Sequence, residues 1–221
     1  MNTVLGPART TGLLYLGLAV TGALGFLLIR PRLFVSGDAA ATLANLVAHE
    51  SLARAGVALE LLVVVTQALA AIWFHRLFRG ADRLAALSIA AFGLVNAVVI
   101  LVSAALLATA VEVAGDPTAD AAPAVQLLYL ISGNLWGVGA LFFGLWLIPM
   151  GRCVLRSPRM PRALGWTLIA GGVGYLISAF VAVLAPGAGP VADALVVPAT
   201  VGELWMVGYL LFRGLDRPVP A

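Results

Sequence analysis

The sequence predicts an all-α, polytopic membrane protein, and two observations support this fold class. Hydrophobic residues make up 62% of the 221 residues and charged residues only 10%, whereas soluble domains have about 45–50% and about 25%. Six apolar runs have about the length that crosses a bilayer as a helix, roughly 20 residues. We therefore predict a single membrane domain over residues 1–221, with six transmembrane helices and one short amphipathic helix at the outer surface.

Charged or proline-containing segments separate the predicted spans. The first run follows Arg9 and is longer than the apolar part of a signal peptide, about 7–15 residues, so we keep it as a span. Residues 115–117 are typical of a turn, and Pro158 and Pro161 should interrupt any helix between the fourth and fifth runs. The predicted spans are residues 12–29, 56–74, 84–111, 125–148, 164–184 and 195–212.

The segment between the first two spans, residues 30–54, is too polar to cross the membrane. Ser36 and Asp38 are typical helix caps, so a short surface helix should begin there. Gly56 marks either a kink in one long helix or a true break before the second span. Helical spacing places four polar side chains on one face of this segment: Asp38, Thr42, Asn45 and His49.

The arginine distribution predicts the orientation. All 13 basic residues are Arg, and with a cytoplasmic amino terminus ten lie in inside segments and three outside. The positive-inside rule then places both termini in the cytoplasm, in the cytoplasmic membrane. Of the three outside arginines, we expect Arg30 and Arg32 to snorkel to lipid head groups and Arg54 to pair with a buried carboxylate.

Glu60 and Glu203 interrupt apolar spans, at similar depths below the predicted outer surface, and Asn134 lies slightly deeper in the fourth span. A charged residue at the bilayer centre costs about 2.5–3.5 kcal/mol on insertion scales, so these side chains should face the bundle and find partners. One interpretation is structural: Arg54 and His49 pair with the two carboxyls and fix the surface helix.

The other interpretation is an outward-facing polar pocket with Trp136, Trp205 and Tyr209 in its walls. Such a pocket would bind a small amphiphile. A carboxyl held away from water favours its protonated form, so Glu60 and Glu203 are also candidate catalytic acids or bases. The candidate ligand-binding residues are Asp38, Thr42, Asn45, His49, Arg54, Glu60, Asn134, Trp136, Glu203 and Trp205.

Several kinds of site are not predicted. The single cysteine, Cys153, excludes an intrachain disulfide and a CxxC redox pair. The residues His49, Glu50, Glu60 and Glu203 match no metal-ligand spacing, so we predict no metal and no cofactor. The formal net charge is only +3, and it lies at the ends of apolar runs, which fits membrane orientation and not nucleic-acid binding.

Other polar and small residues within the spans predict packing. Gln67 and Asn96 are expected to form hydrogen bonds between helices, and the Gly133 to Gly137 pair is typical of close helix packing. The same holds for the glycines of the fifth span, which follow no strand and therefore do not predict a phosphate loop: Gly171, Gly172 and Gly174.

Three groups of residues carry a resemblance to a known family. The chain resembles the bacterial and archaeal membrane proteins grouped as domain of unknown function family 4386, over nearly its whole length. The resemblance implies a six-helix integral membrane protein, and the family has no settled activity to transfer. The matching residues are Gly37, Asp38, Thr42, Asn45 and Arg54, then Trp146, Pro149, Gly151, Ser157, Pro161, Arg162 and Gly165, and finally Gly202, Glu203 and Trp205.

Three classes of function stay open at the level of sequence. The first is binding or sensing of a small lipophilic ligand, with membrane lipids as the other partners and no nucleic acid. The second is an intramembrane enzyme in which Glu60 and Glu203 act as acid and base, an isomerase or cyclase of an isoprenoid or sterol-like lipid. The third is a small transporter; six spans without an inverted repeat would then require a homo-oligomer, a dimer that supplies the missing half.

Overall fold

The computed structural model describes residues 6–116 and 120–213, and all regular structure within these ranges is helical. The predicted turn position 117 and the chain after Arg213 lie outside the described residues. The elements in chain order are α1 (Pro7–Ala23), a π-helical turn (Leu24–Ile29), α2 (Arg30–Leu33), α3 (Ala39–Ala48), α4 (Glu50–Phe78), α5 (Arg83–Gly115), α6 (Ala121–Arg156), α7 (Arg162–Leu184), a 3₁₀ turn (Pro186–Ala188) and α8 (Gly189–Phe212).

Six helical segments in the described ranges are long and apolar enough to cross a membrane, as predicted. The first combines α1, the π-helical turn and α2, and the others are α4 to α8. Each contains one predicted span and extends beyond it. The largest difference is at α6, which ends at Arg156 and not at residue 148. α8 begins at Gly189 and not at residue 195, because proline at the start of a helix lacks only a donor that is unpaired there anyway.

The short helix α3 begins where the sequence predicts. The Asp38 side chain accepts a hydrogen bond from the Ala41 N–H at 2.8 Å, and Gly37 before it has φ of 78°, a conformation that favours glycine. The helix ends at His49, whose backbone leaves the helical region, so the break before the second span lies there. Gly56 is inside the continuous helix α4, where a Cβ atom would lie 3.1 Å from Ile29 Cγ2.

The internal contacts divide the chain into two compact units. One contains the residues up to Leu16, Thr66–Asn96 and the chain from Ala140; we call it the Glu203 unit. The other contains Gly17–Val65 and Ala97–Gly139; we call it the Glu60 unit.

The core of the Glu60 unit fixes the position of α3. Leu46 of α3 is 1% exposed and packs in one cluster with Leu33 of α2 and with Val125 and Tyr129 of α6. The Phe34 ring stacks on Tyr129, with 5.5 Å between the ring centroids. These apolar contacts hold the surface helix against the spanning helices of its own unit.

In the Glu203 unit, aromatic rings and glycines bring the helices close together. Tyr15 packs edge-on against Phe74 and Trp146, at 5.2 Å and 5.5 Å between centroids. A Cβ atom at Gly172 of α7 would lie 2.7 Å from Ile148 Cγ1 and 2.8 Å from the Gly144 carbonyl oxygen of α6. The predicted packing role of the α7 glycines is therefore confirmed.

Of the two hydrogen bonds predicted between spans, at Gln67 and Asn96, the structure shows one. Gln67 of α4 donates a hydrogen bond to the Gly93 carbonyl of α5 at 3.5 Å, as expected. Asn96 of α5 is 1% exposed, and its amide has no hydrogen-bond partner among the described residues. The expected hydrogen bond between helices is therefore found for Gln67 alone.

Candidate functional site

The π-helical turn in the first span creates the candidate site of the Glu60 unit. One π-helical turn inserts an extra residue and widens the helix locally, and such turns occur frequently at functional sites. Here the turn covers Leu24–Ile29, directly before Arg30. Gly25, Phe26, Ile29 and Arg30 all line the same cavity, so one side of this turn faces the cavity while Leu27 and Leu28 are exposed.

Arg30 is half-buried and points into the protein, where we predicted that it would snorkel to head groups. Its Nη2 donates to the Tyr129 carbonyl at 2.7 Å and its Nη1 to Ser132 Oγ at 3.1 Å. The Cζ atom lies 5.3 to 5.9 Å from the ring centroids of Phe26, Phe34 and Tyr129, close enough for cation–π attraction. The Arg30 guanidinium group thus has protein acceptors and aromatic rings as its partners, and not the predicted lipid head groups.

Gly133 has a different role from the one that its GxxxG spacing predicts. A Cβ atom at this position would lie 2.9 Å from Arg30 Nη2. The missing side chain therefore leaves space for the guanidinium group. At Gly137 a Cβ atom would meet nothing within 4 Å among the described residues, so the close approach is at Gly133 and not at Gly137.

Glu60 lies on α4 and is 7% exposed. Its Oε1 accepts a hydrogen bond from Trp136 Nε1 of α6 at 3.1 Å. Its Oε2 is buried and has no hydrogen-bond partner among the described residues. An unpaired buried acceptor costs about 1–3 kcal/mol, so a donor placed beside this oxygen would stabilise the protein.

Two serines link the charged groups. Ser103 of α5 and Ser132 of α6 share a hydrogen bond at 2.8 Å, and both are fully buried. Ser132 accepts from Arg30, and Ser103 lies next to the Glu60 carboxyl. Arg30, the two serines and Glu60 thus form one polar chain, in which Ser103 is close to the Glu60 carboxyl but leaves Oε2 without a hydrogen bond among the described residues. The opposite charges at its two ends attract each other.

A small cavity lies beside this polar chain. Arg30, Glu60, Tyr129 and Trp136 line it together with apolar and small residues of the first span. The space inside it has a volume of about 30 Å³, where one water molecule needs about 10–15 Å³ and ligand pockets usually have about 300–1,000 Å³. The cavity therefore accommodates a head group or water, and not the body of a lipophilic molecule.

Glu203 has a separate environment in the other unit. Tyr15 Oη donates to Glu203 Oε1 at 2.6 Å, and the Tyr15 side chain is 2% exposed. The predicted aromatic walls are not assembled here: Trp205 is 39% exposed, and the Tyr209 hydroxyl donates to the Arg159 carbonyl. Glu203 therefore has Tyr15 as its hydrogen-bond partner within its own unit.

The predicted partners Arg54 and His49 make local contacts in place of the predicted pairs. Arg54 forms an exposed ion pair with Glu50 at 2.7 Å, one helical turn away. The exposed His49 ring contacts the Asn45 carbonyl at 3.2 Å. The structural interpretation of the sequence is wrong in its partners, because a local pair at i,i+4 forms without ordering a longer connection.

The polar face of α3 holds the helix in place and does not line the cavity. Thr42 is fully buried and its hydroxyl contacts Gln126 Oε1 at 2.9 Å. Asn45 Nδ2 donates to the Leu33 carbonyl at 3.3 Å, and Asp38 caps the helix. Asn134 is exposed on α6. Of the ten predicted ligand-binding residues, the structure thus brings only Glu60 and Trp136 together at the cavity.

Within residues 6–116 and 120–213, no three His, Cys, Asp or Glu side chains lie close enough together to hold a metal ion. Cys153 is buried.

Comparison with known protein families identifies the family of this chain. The model of the family described as a domain of unknown function, DUF4386, matches residues 10–214. The chain belongs to the DUF4386 family. No curated protein matches significantly, and no solved structure does.

Within this DUF4386 protein, sequence reasoning missed the residues that complete the site of Glu60. Arg30 directly follows an apolar run, where a snorkelling side chain is the ordinary expectation. Ser103 and Ser132 are single hydroxyls within apolar runs, and such residues are common in spans. A polar residue in three neighbouring spans was the available signal, but the sequence did not show which helices are neighbours.

Proposed function

We propose that this protein binds a small lipophilic molecule that carries an uncharged hydroxyl group. The observation that carries the proposal is the buried Glu60 Oε2, which lacks a hydrogen-bond partner among the described residues at the edge of a cavity. A ligand hydroxyl would donate to this oxygen. Hydrogen bonds to a charged group are worth about 1.5–3 kcal/mol, more than those between neutral groups.

The charges around the cavity favour a neutral head group. Glu60 and Arg30 line the same space, and their opposite charges compensate each other. An ammonium group would lie close to the Arg30 guanidinium, and a carboxylate or phosphate close to Glu60. A hydroxyl avoids both repulsions and still satisfies the free oxygen.

The apolar part of the ligand has a path beside the first span. Thr21, Gly22 and Gly25 line the cavity, and a Cβ atom at Gly22 would meet nothing within 4 Å. An alkyl or isoprenoid tail would leave the cavity along this open, small-residue surface. The 30 Å³ space then needs to hold only the hydroxyl end.

The experiment measures the unfolding temperature of the purified protein in mild detergent with three probes: decanol, decylamine and decyl methyl ether. We expect decanol to stabilise the wild type most, because ligand that binds only the folded state raises its stability. The ether has the same tail without the donor. Glu60→Gln should reduce the decanol shift, whereas Glu50→Gln, an exposed change on the same helix, should preserve it.

A second variant tests the path of the tail. Gly22→Leu should block decanol and leave the polar chain intact. Equal stabilisation by decanol and the ether, or an undiminished decanol shift in Glu60→Gln, would overturn the proposal, and the unpaired oxygen would then be assigned to bound water.

An acid–base enzyme that acts on an isoprenoid or sterol-like lipid is the second candidate. The same free oxygen favours it, since a carboxyl in a dry cavity can transfer a proton to a double bond. Glu60 and Glu203 belong to different units, so their pairing as acid and base gains no support. Incubation with geraniol in D₂O separates the classes: deuterium in the carbon skeleton with the wild type but not with Glu60→Gln indicates an enzyme, and unchanged geraniol indicates binding alone.

We further propose that both termini are cytoplasmic and that the protein resides in the cytoplasmic membrane. The support is the placement of ten of the 13 arginines in the segments that this orientation puts inside. The Glu60 cavity then opens in the outer half of the bilayer.

A further inference from the structure

A second, larger cavity lies in the Glu203 unit, between α5 and α6. Its volume is about 250 Å³, and it shares no residue with the cavity beside Glu60. The walls are apolar along most of their length, with a serine and an arginine as the polar members. The residues that line this groove are Leu84, Ala85, Ser88, Phe92, Leu145, Ile148, Pro149 and Arg152.

The arginine of the groove is positioned by an ion pair. Arg152 Nε donates to Asp82 Oδ2 at 2.7 Å, and Arg156 Nη1 lies 2.8 Å from the same oxygen. The Asp82 side chain is only 6% exposed, whereas that of Arg152 is 56% exposed. The carboxylate thus anchors the arginine and leaves most of the guanidinium accessible.

The local charge favours an anion. Two guanidinium groups share the single Asp82 carboxylate, so this cluster keeps one net positive charge. Asp82 is further committed to the Ala85 N–H at 3.1 Å, as the cap of α5. Arg83 adds another exposed positive charge next to the groove residue Leu84.

We infer that this groove binds one anionic phospholipid, with an acyl chain along α5 and α6 and the phosphate on Arg152. The apolar walls and the cation at the helix end match the two parts of such a lipid. Arginine binds phosphate through paired N–H groups, and basic pockets between spanning helices are typical sites for anionic lipid head groups. The site is independent of the proposed function, because it uses other residues in the other unit.

Two variants separate the two contributions to lipid binding, the space for the acyl chain and the positive charge for the phosphate. Arg152→Gln removes the cation while Arg156 still pairs with Asp82. Ser88→Phe fills the groove and leaves every arginine in place. The hydrogen bond that it removes is local, from Ser88 to the Leu84 carbonyl at 3.0 Å. Arg162→Gln serves as the matched control, because Arg162 is an exposed arginine of the same unit outside the groove.

The experiment is native mass spectrometry of the protein extracted from vesicles that contain equal amounts of phosphatidylglycerol and phosphatidylcholine. We expect the wild type and Arg162→Gln to retain one phosphatidylglycerol molecule in preference to phosphatidylcholine. Arg152→Gln should retain about tenfold less, the loss expected when a charge-assisted hydrogen bond is removed. Ser88→Phe should lose both lipids from this site.

Four results would overturn the inference. These are equal retention of the two lipids by the wild type, undiminished phosphatidylglycerol on Arg152→Gln, undiminished lipid on Ser88→Phe, and the same loss in Arg162→Gln as in Arg152→Gln. A dimer that disappears in Ser88→Phe would instead assign the groove to a second copy of the chain.

Discussion

Two carboxyls inside spanning helices are each held by one aromatic donor. Trp136 donates to Glu60 and Tyr15 donates to Glu203. The difference between them lies in the surrounding charge, because Arg30 lines the same cavity as Glu60. Of the two carboxyls, Glu60 therefore has a cation, Arg30, beside it. It also has a buried oxygen without a hydrogen-bond partner among the described residues.

Asp82 illustrates a third arrangement, outside the spanning segments. The Ala85 N–H and then the Arg152 guanidinium hold the pKa of Asp82 below its ordinary value. A carboxylate whose pKa is lowered by folding stabilises the protein above its unfolded pKa, about 3.9. That stabilisation is lost as the pH falls through the folded pKa.

This relation predicts the pH dependence of one variant. At pH 7 the wild type should be more stable than Asp82→Asn, and the difference should shrink from about pH 5 downward as the wild-type carboxylate becomes protonated. Unfolding in detergent over this pH range measures it. Asp193→Asn, at an exposed position, is the control, and a difference that does not change with pH would contradict the assigned role of the ion pairs.

At the scale of residues, the sequence predicted polar groups but not their partners. Glu60 and Trp136 were both identified, since a carboxylate and an indole in apolar runs are conspicuous. Arg30 was assigned to lipid head groups because its side chain is long enough to reach them. Its actual direction depends on a π-helical turn and on space left by Gly133, and neither can be read from one sequence.

At the scale of elements, α6 and α7 approach each other where glycines remove side chains. A Cβ atom at Gly144 would lie 2.6 Å from the Gly172 carbonyl oxygen, and one at Gly165 would lie 3.0 Å from the Gly151 carbonyl oxygen. Backbones can approach this closely in membranes only where small residues face each other.

A pair of glycine substitutions tests this packing. Gly172→Ala should destabilise the protein by about 1–3 kcal/mol, because the added methyl group meets Ile148 and a backbone carbonyl that cannot move away cheaply. Gly208→Ala in α8 meets nothing within 4 Å and should stabilise by up to about 1 kcal/mol through helix propensity. Unfolding titrations of both variants measure the difference, and equal effects would argue against close packing at Gly172.

The positions of the elements were more predictable than the positions of the site residues. Apolar length and caps identified all six spans and the start of α3 at Asp38. The break between α3 and α4 was expected at Gly56 or not at all, and it lies at His49. Gly56 instead receives Ile29 of another helix, a contact between elements that local sequence patterns do not contain.

At the scale of the whole molecule, the proposed orientation makes opposite predictions for the two ends of the spans. The native Cys153 is buried and should not react with a membrane-impermeant maleimide. In intact cells, His49→Cys should be labelled from outside, whereas Arg159→Cys should be labelled only after the membrane is opened. The reverse pattern would invert the orientation derived from the arginine distribution.

The measurement that tests the central claim most directly is native mass spectrometry of the protein purified from its own membrane in mild detergent. The wild type and Glu50→Gln should carry a small hydroxyl-bearing lipophilic molecule, and Glu60→Gln of equal stability should have lost it. A wild type that carries no such molecule, or a Glu60→Gln variant that retains it, would contradict the assignment of the Glu60 cavity as a ligand site.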